Sequence, residues 1–223
     1  MHWLCLHFPD LPLEIFTFEE QGDGQVSPRA IVTGSSRHQW IFNCNDAARA
    51  LGIVPGMGLG AAHALSDIEI FERNSQAESA ALERLAVWSG QFTSMIHIAP
   101  PASLLLEVGG SLALFGGLEA LCTKIAAGVA ALDYCISLAS APTPLAASWL
   151  AKSGKSVHVF GEEQLSAELA DLDLSLLESG SKPLASLRGM GVHQIGQLQR
   201  LPRDGLAPEG RIFRLKVPRK LKL

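Results

Sequence analysis

Residues 100–117, PPASLLLEVGGSLALFGG, constrain the fold of this 223-residue chain more than any other stretch. Residues 104–108 read as a strand. Gly109 and Gly110 interrupt it, and an apolar helix start follows directly. The same alternation recurs on both sides. Residues 1–8 read as a central strand, and the two prolines of FPDLP at 8–12 make a turn. Short strands are expected at 14–19 and 29–33 around the glycine-containing stretch 21–24. The alanine-rich segment 45–51 reads as a helix with Asn43 or Asn45 as N-cap, closed by Gly52. A further helical piece at 61–64 and a strand at 68–71 complete a small subdomain, residues 11–74, inserted between two strands of a larger one.

Residues 76–91 carry Leu82, Leu85 and Ala86 at helical spacing, with Phe92 just beyond, and give the clearest helix. Strands follow at 95–98 and 104–108, then a helix at 118–132 and a strand at 134–138. A third helix spans 143–151, with Thr143 as N-cap and Pro144 in its first turn. Residues 157–160 read as a closing strand. This order predicts an α+β domain built on a mixed or antiparallel sheet. From Glu162 onward the pattern is helical and leucine-rich, so a separate helical module is expected there.

Composition supports a packed core: 48% of residues are hydrophobic and 18% charged. No apolar run reaches the ~18 residues of a membrane span, and residues 113–132 are interrupted by Gly116, Gly117, Glu119 and Lys124. The first residues carry neither a basic region nor the apolar run of a secretion signal. Cys5, Cys44, Cys122 and Cys135 lie far apart, and burial as reduced thiols is expected. Together these features predict a cytoplasmic protein with no membrane contact. The seven histidines show no metal-ligand spacing, so neither zinc nor another cofactor is expected. The run Ser153-Gly-Lys-Ser156 is not a phosphate loop, because Trp149 stands where that motif needs its first glycine.

The net charge of −4 conceals an asymmetry. Residues 211–223 hold six of the 18 Lys and Arg and no acid, which leaves 12 basic against 22 acidic side chains in residues 1–210. Such a body is a poor non-specific DNA binder, since phosphate affinity comes from cations that release counterions. The run LRGMGVHQIGQLQRLP at 187–202 resembles a helix–hairpin–helix. Arg188, Gly189, Gly191, His193 and Gly196 would present backbone N–H groups and a helix N-terminus to a DNA phosphate. A plain helix–turn–helix packing unit is the alternative.

The ordered series WLCLHFPDLP, NDAARALGIVPGM, LERLAVWSGQF and LEVGGSLALFGG resembles the Y-family (translesion, UmuC/DinB-like) DNA polymerases, and most of all their non-catalytic ImuB branch. The resemblance covers residues 1–205. It implies a polymerase-like palm at 1–10 and 75–161, a fingers insert at 11–74, a helical thumb at 162–210 and a basic tail at 211–223. In active members the strand before the Gly-Gly position is preceded by an Asp-Glu pair, and the first strand ends in a metal-binding Asp. The matching positions here are Ala102, Ser103 and His7. Two-metal phosphoryl transfer needs converging carboxylates, so the resemblance implies a polymerase shape without polymerase chemistry. Arg49 matches the arginine of the fingers motif and would be a nucleotide-binding remnant, while Asp46 replaces that motif's triphosphate-contacting tyrosine. Lys152 or Lys155 falls near the family's triphosphate lysine, and a solvated surface lysine is the competing reading.

By resemblance the chain would act as a scaffold in damage-induced (SOS) mutagenesis. Its partners would be DNA through weak backbone contacts, a damage-tolerant polymerase subunit, a RecA-like accessory protein and the sliding clamp. The basic tail departs from the family pattern and suggests a chain truncated after the thumb; a short cationic anchor is the alternative. Two other readings remain open: a nucleotidyl transferase using displaced carboxylates Asp10, Glu14 and Glu107, and a non-enzymatic helix–hairpin–helix module.

Overall fold

The computed structural model of the chain describes residues 1–16, 27–177 and 181–200. In chain order the elements are β1 (Trp3–His7), α1 (Leu11–Glu14), β2 (Arg29–Ser35), β3 (His38–Cys44), α2 (Asp46–Ala50), α3 (Leu59–Leu65) and β4 (Glu69–Glu72). There follow α4 (Ser75–Ser89), β5 (Ile96–Ala99), β6 (Ser103–Glu107), α5 (Leu112–Phe115), α6 (Leu118–Ala130), β7 (Ser137–Ala141) and α7 (Pro144–Lys152). The last part is helical: α8 (Glu162–Ala170), a 3-10 turn (Leu174–Leu176), α9 (Ser181–Gly189) and α10 (Ile195–Arg200). One sheet has the order β5-β6-β1-β7 and a smaller one the order β3-β2-β4. The α+β class expected from the sequence is the one observed.

The chain divides into two compact units. The first contains Met1–His7, Leu105–Ser111 and the described residues from Ser137 onward. Here β1 pairs antiparallel with β7, from Trp3 opposite Ala141 to His7 opposite Ser137. Helix α7 packs on both strands. The residues SLASA of β7 have little intrinsic strand preference. What they offer is small size: Ala139 and Ala141 are fully buried, as are Ala147 and Ala151 of α7, so the helix can approach the strands closely. Thr143 caps α7 and Pro144 opens it, as expected.

The second unit contains Phe8–Leu104 and Leu112–Ile136. Its small sheet is mixed: β2 runs antiparallel to β3 and parallel to β4. Ala30, Val32, Ile41, Cys44, Ala48, Ile53, Ala62 and Ile68 form its apolar core, with α2 and α3 contributing Ala48 and Ala62. Helix α4 is fixed at its start by Arg73, whose guanidinium makes two bonds of 2.8 and 2.7 Å to the buried Glu78 carboxylate and lies 3.8 Å over the Phe42 ring. Trp88, Phe92 and Phe115 form an aromatic run beside α6.

Four expectations need correction. Glu14 ends a helix rather than starting a strand, because Pro12 sits in the first turn of α1 and suits a helix start. The remainder of that expected strand, and the stretch 21–24, lie outside the described residues. The strand expected at 134–138 lies three residues later. The end of α6 is prolonged by bonds from Leu132, Asp133 and Tyr134 back to Val129 and Ala130, with Asp133 at a φ of 61°. Finally, β3 has no counterpart among the expected elements. Residues 157–160 form a parallel bridge between His158 and Ser140 rather than a full strand.

Candidate functional site

Strand β1 delivers His7 at its end, and Phe8 follows it in the chain. The Phe8 N–H donates to the Ala102 carbonyl at 2.9 Å, so the backbone on either side of these positions is paired. Ser103 opens β6 and is fully buried, while His7 and Ala102 are half-buried. Among the described residues no group of three or more His, Cys, Asp or Glu is arranged to hold a metal ion.

Glu107, Glu14 and Asp10, the three carboxylates weighed as displaced ligands, each accept hydrogen bonds. In the first unit, Glu107 Oε1 accepts the backbone N–H of His2 at 2.9 Å and of Gly109 at 3.1 Å. It thereby staples the start of β1 to the end of β6. In the second unit, Glu14 Oε1 accepts the Cys135 N–H at 2.6 Å, and its buried Oε2 has no hydrogen-bond partner. Burial drives the Glu14 carboxyl up from 4.5 to about 7; the Cys135 N–H and thiol oppose the rise, and the nearby Asp10 charge adds to it. Cys135 itself is exposed, unlike the other three cysteines, which corrects the expectation that all four are buried.

Asp10 belongs to the best-defined polar cluster of the second unit, centred on Arg49. Asn45, rather than Asn43, caps α2: its Oδ1 accepts from the Ala48 N–H at 3.0 Å and from the Arg29 N–H at 2.9 Å. This fixes α2 against β2 and sets the direction of Arg49. Gly52, at a φ of 86°, turns the chain away after it. The Arg49 guanidinium reaches Asp46 Oδ1 at 2.8 Å, Asp10 Oδ1 at 3.3 Å and Asn43 Oδ1 at 3.3 Å. Asn43 in turn donates to the Pro9 carbonyl at 2.9 Å and to Asp10 at 3.3 Å, and accepts from Cys44 N–H at 2.7 Å. Two carboxylates therefore occupy the face that an arginine would otherwise offer to an anion. Lys152 ends α7, and Lys155 pairs with Glu168 at 3.3 Å, both in the first unit.

Among the C-terminal helices the residues of the expected hairpin are also committed. Arg188 pairs with Asp173 at 3.1 Å. The N–H groups of Met190, Gly191 and Val192 turn back onto α9, with Gly191 at a φ of 80°. The Gln197 side chain accepts from the N–H of His193 at 2.8 Å and of Gln194 at 3.1 Å. Gly196 lets α10 approach α8: a Cβ there would stand 2.8 Å from the Ala170 Cβ. Gly189 ends α9, and a Cβ there would meet nothing within 4 Å among the described residues. The basic tail 211–223 lies outside the described residues.

Sequence reasoning singled out Arg49 and positions 7, 102 and 103. It missed the engagement of Arg49 by Asp10 and Asn43. Asp46 three residues before Arg49 was a visible signal of ion pairing; Asp10, 39 positions away, gave none.

The profile of the impB/mucB/samB family matches residues 21–152. The chain is 30% identical over 158 residues to Protein ImuB from Caulobacter vibrioides, in strain NA1000 / CB15N and equally in strain ATCC 19089 / CIP 103742 / CB 15. That match takes in 70% of this chain and 34% of the relative, so the chain spans about a third of the length of the curated relatives it matches. The fold is similar to that of DinB from Sulfolobus solfataricus, with a TM-score of 0.70, 18% identity and coverage of 92% of this chain and 62% of that one. It is likewise similar to Dbh DNA polymerase in an insertion ternary complex, with a TM-score of 0.71, 19% identity and the same coverage. With a polymerase-like α+β fold and a family profile matched over more than half its length, the chain belongs to the impB/mucB/samB family.

Proposed function

We propose that this chain is a catalytically inactive Y-family polymerase-like protein that serves as a scaffold in damage-induced translesion synthesis and mutagenesis. The observation that carries the reading is the Arg49 cluster. A triphosphate approaching it meets Asp10 and Asp46 already paired with the guanidinium, and anions are repelled by carboxylates in that position. The residues at 7, 102 and 103 support the same reading, because imidazole, methyl and hydroxyl do not supply the anionic oxygens that two hard cations require. In this reading residues 1–10 and 75–161 are the palm, 11–74 the fingers insert and 162–210 a thumb-like helix–hairpin–helix, followed by the tail 211–223.

The partners of such a scaffold would be a damage-tolerant polymerase subunit, a RecA-like accessory protein and the sliding clamp. Duplex contact would be weak. Arg188 is paired with Asp173, and Gln197 already accepts from two hairpin amides, which leaves Gly189, Gly191, His193 and Gly196 few free donors for a phosphate.

Primer extension tests the reading: purified protein with a labelled primer–template, all four nucleotides and Mg²⁺ or Mn²⁺ should add no nucleotide. Metal-dependent incorporation that disappears in Asp10→Ala or Glu107→Ala would instead establish the displaced-carboxylate enzyme.

A further inference from the structure

Two imidazoles meet at one buried hydroxyl in the first unit. Ser140 of β7 is fully buried, and its Oγ lies 2.9 Å from Nε2 of His2 and 3.1 Å from Nδ1 of His158. The backbone of Ser140 holds the same neighbour: its N–H donates to the Val157 carbonyl at 3.0 Å, and the Val159 N–H donates to its carbonyl at 2.9 Å. The Phe160 ring stacks on His2 with centroids 4.7 Å apart and planes at 10°, although it is 62% exposed. Gly161 then opens α8, whose Gln164 donates to the His158 carbonyl at 3.4 Å. Attachment of the segment that leads into α8 thus centres on one serine and two histidines.

The proton count of this cluster limits it. A serine hydroxyl has one hydrogen to donate and lone pairs to accept. While at least one ring is neutral, a consistent chain exists: one ring nitrogen donates to Oγ, and the hydroxyl donates to the other ring. Once both rings are protonated, both nitrogens are donors. The hydroxyl hydrogen then loses its acceptor on a serine that is fully buried. Two like charges also face each other across that oxygen.

We infer that His2, Ser140 and His158 form an acid-labile clasp that holds residues 157–160 on β7 and is released when both imidazoles are protonated. This inference is independent of the catalytic reading. The groups facing His2 agree with it: burial, His158 and the N-terminal ammonium all disfavour a charge there, and they outweigh Glu107, so the imidazole is held below its usual 6.5. Because the clasped state binds protons less readily than the open one, the clasp is at full strength above 6.5 and weakens as pH falls from that value.

Amide hydrogen exchange on the full chain tests this, from about pH 8 to about pH 5 and corrected for the intrinsic rate. Protection of the Val159 amide should fall below 6.5, by up to about tenfold per pH unit. The Ile41 amide, bonded to Met57 in the small sheet, should hold its protection. His2→Gln keeps a polar atom where Nε2 lies and cannot titrate, so it should flatten the Val159 profile. Should that variant not fold, ring-proton titration of the unaltered protein decides: the second histidine protonation and the loss of Val159 protection should share a midpoint. Constant Val159 protection, a fall shared by Ile41, a fall that persists in His2→Gln, or unmatched midpoints would each overturn the clasp.

Discussion

Replacing Glu14 by Gln should change how stability depends on pH, and the size of the change follows from the site. The folded protein holds the Glu14 proton up to about 7, whereas an ordinary carboxyl releases it near 4.5. Its contribution to stability is therefore greatest below 4.5, declines as pH rises through that window and is flat above about 7. Full linkage for such a shift would be about 3 kcal/mol. Glu14 is only half-buried, and solvent screening reduces the expected loss to about 1–2 kcal/mol. The glutamine oxygen can still accept the Cys135 N–H and does not titrate. Urea unfolding of both proteins at several pH values between about 4.5 and 8 should give a difference that grows by this amount in favour of Glu14→Gln. A constant offset would reflect amide packing and cancels in the comparison. Parallel curves across the window would refute burial as the source of the raised value.

Arg73→Ala should cost about 3–5 kcal/mol in chemical denaturation, since it strands the Glu78 carboxylate, whose side chain is only 4% exposed; unchanged stability would mean that Glu78 finds water. Gly128→Ala should cost about 1–3 kcal/mol and perturb tryptophan fluorescence, because a Cβ there would stand 2.5 Å from Cζ2 of Trp88. Asp46→Ala should raise the affinity for tripolyphosphate about two- to fivefold in calorimetry, the worth of one exposed ion pair released from Arg49. An unchanged affinity would show that Asp46 does not oppose anions at Arg49.

What the sequence carried was local. Asn45 and Thr143 each cap a helix through a residue three positions on, and the strand at 104–108 stands between breaks that any reader can see. The apolar spacing of Leu82 and Leu85 defined α4, and both are buried. These features depend on neighbours within one or two turns, where propensity and capping act. Strand β7 was displaced by three residues because its SLASA sequence carries no strand signal, and only pairing with β1 and the approach of α7 make it one. Strand β3 could have been found from the alternation of buried and exposed residues around Trp40 and Ile41, yet His38 and Gln39 obscured it.

Family and α+β class were legible in the sequence, because both are carried by contiguous motifs, which also drew attention to positions 7, 49, 102 and 103. Tertiary structure decided what those residues face. Asp10 comes to Arg49 across 39 positions, Cys135 to Glu14 across 121 and Ser140 to His2 across 138. Hydrogen bonds and buried charges act over a few ångströms of space, and separation along the chain does not encode that distance.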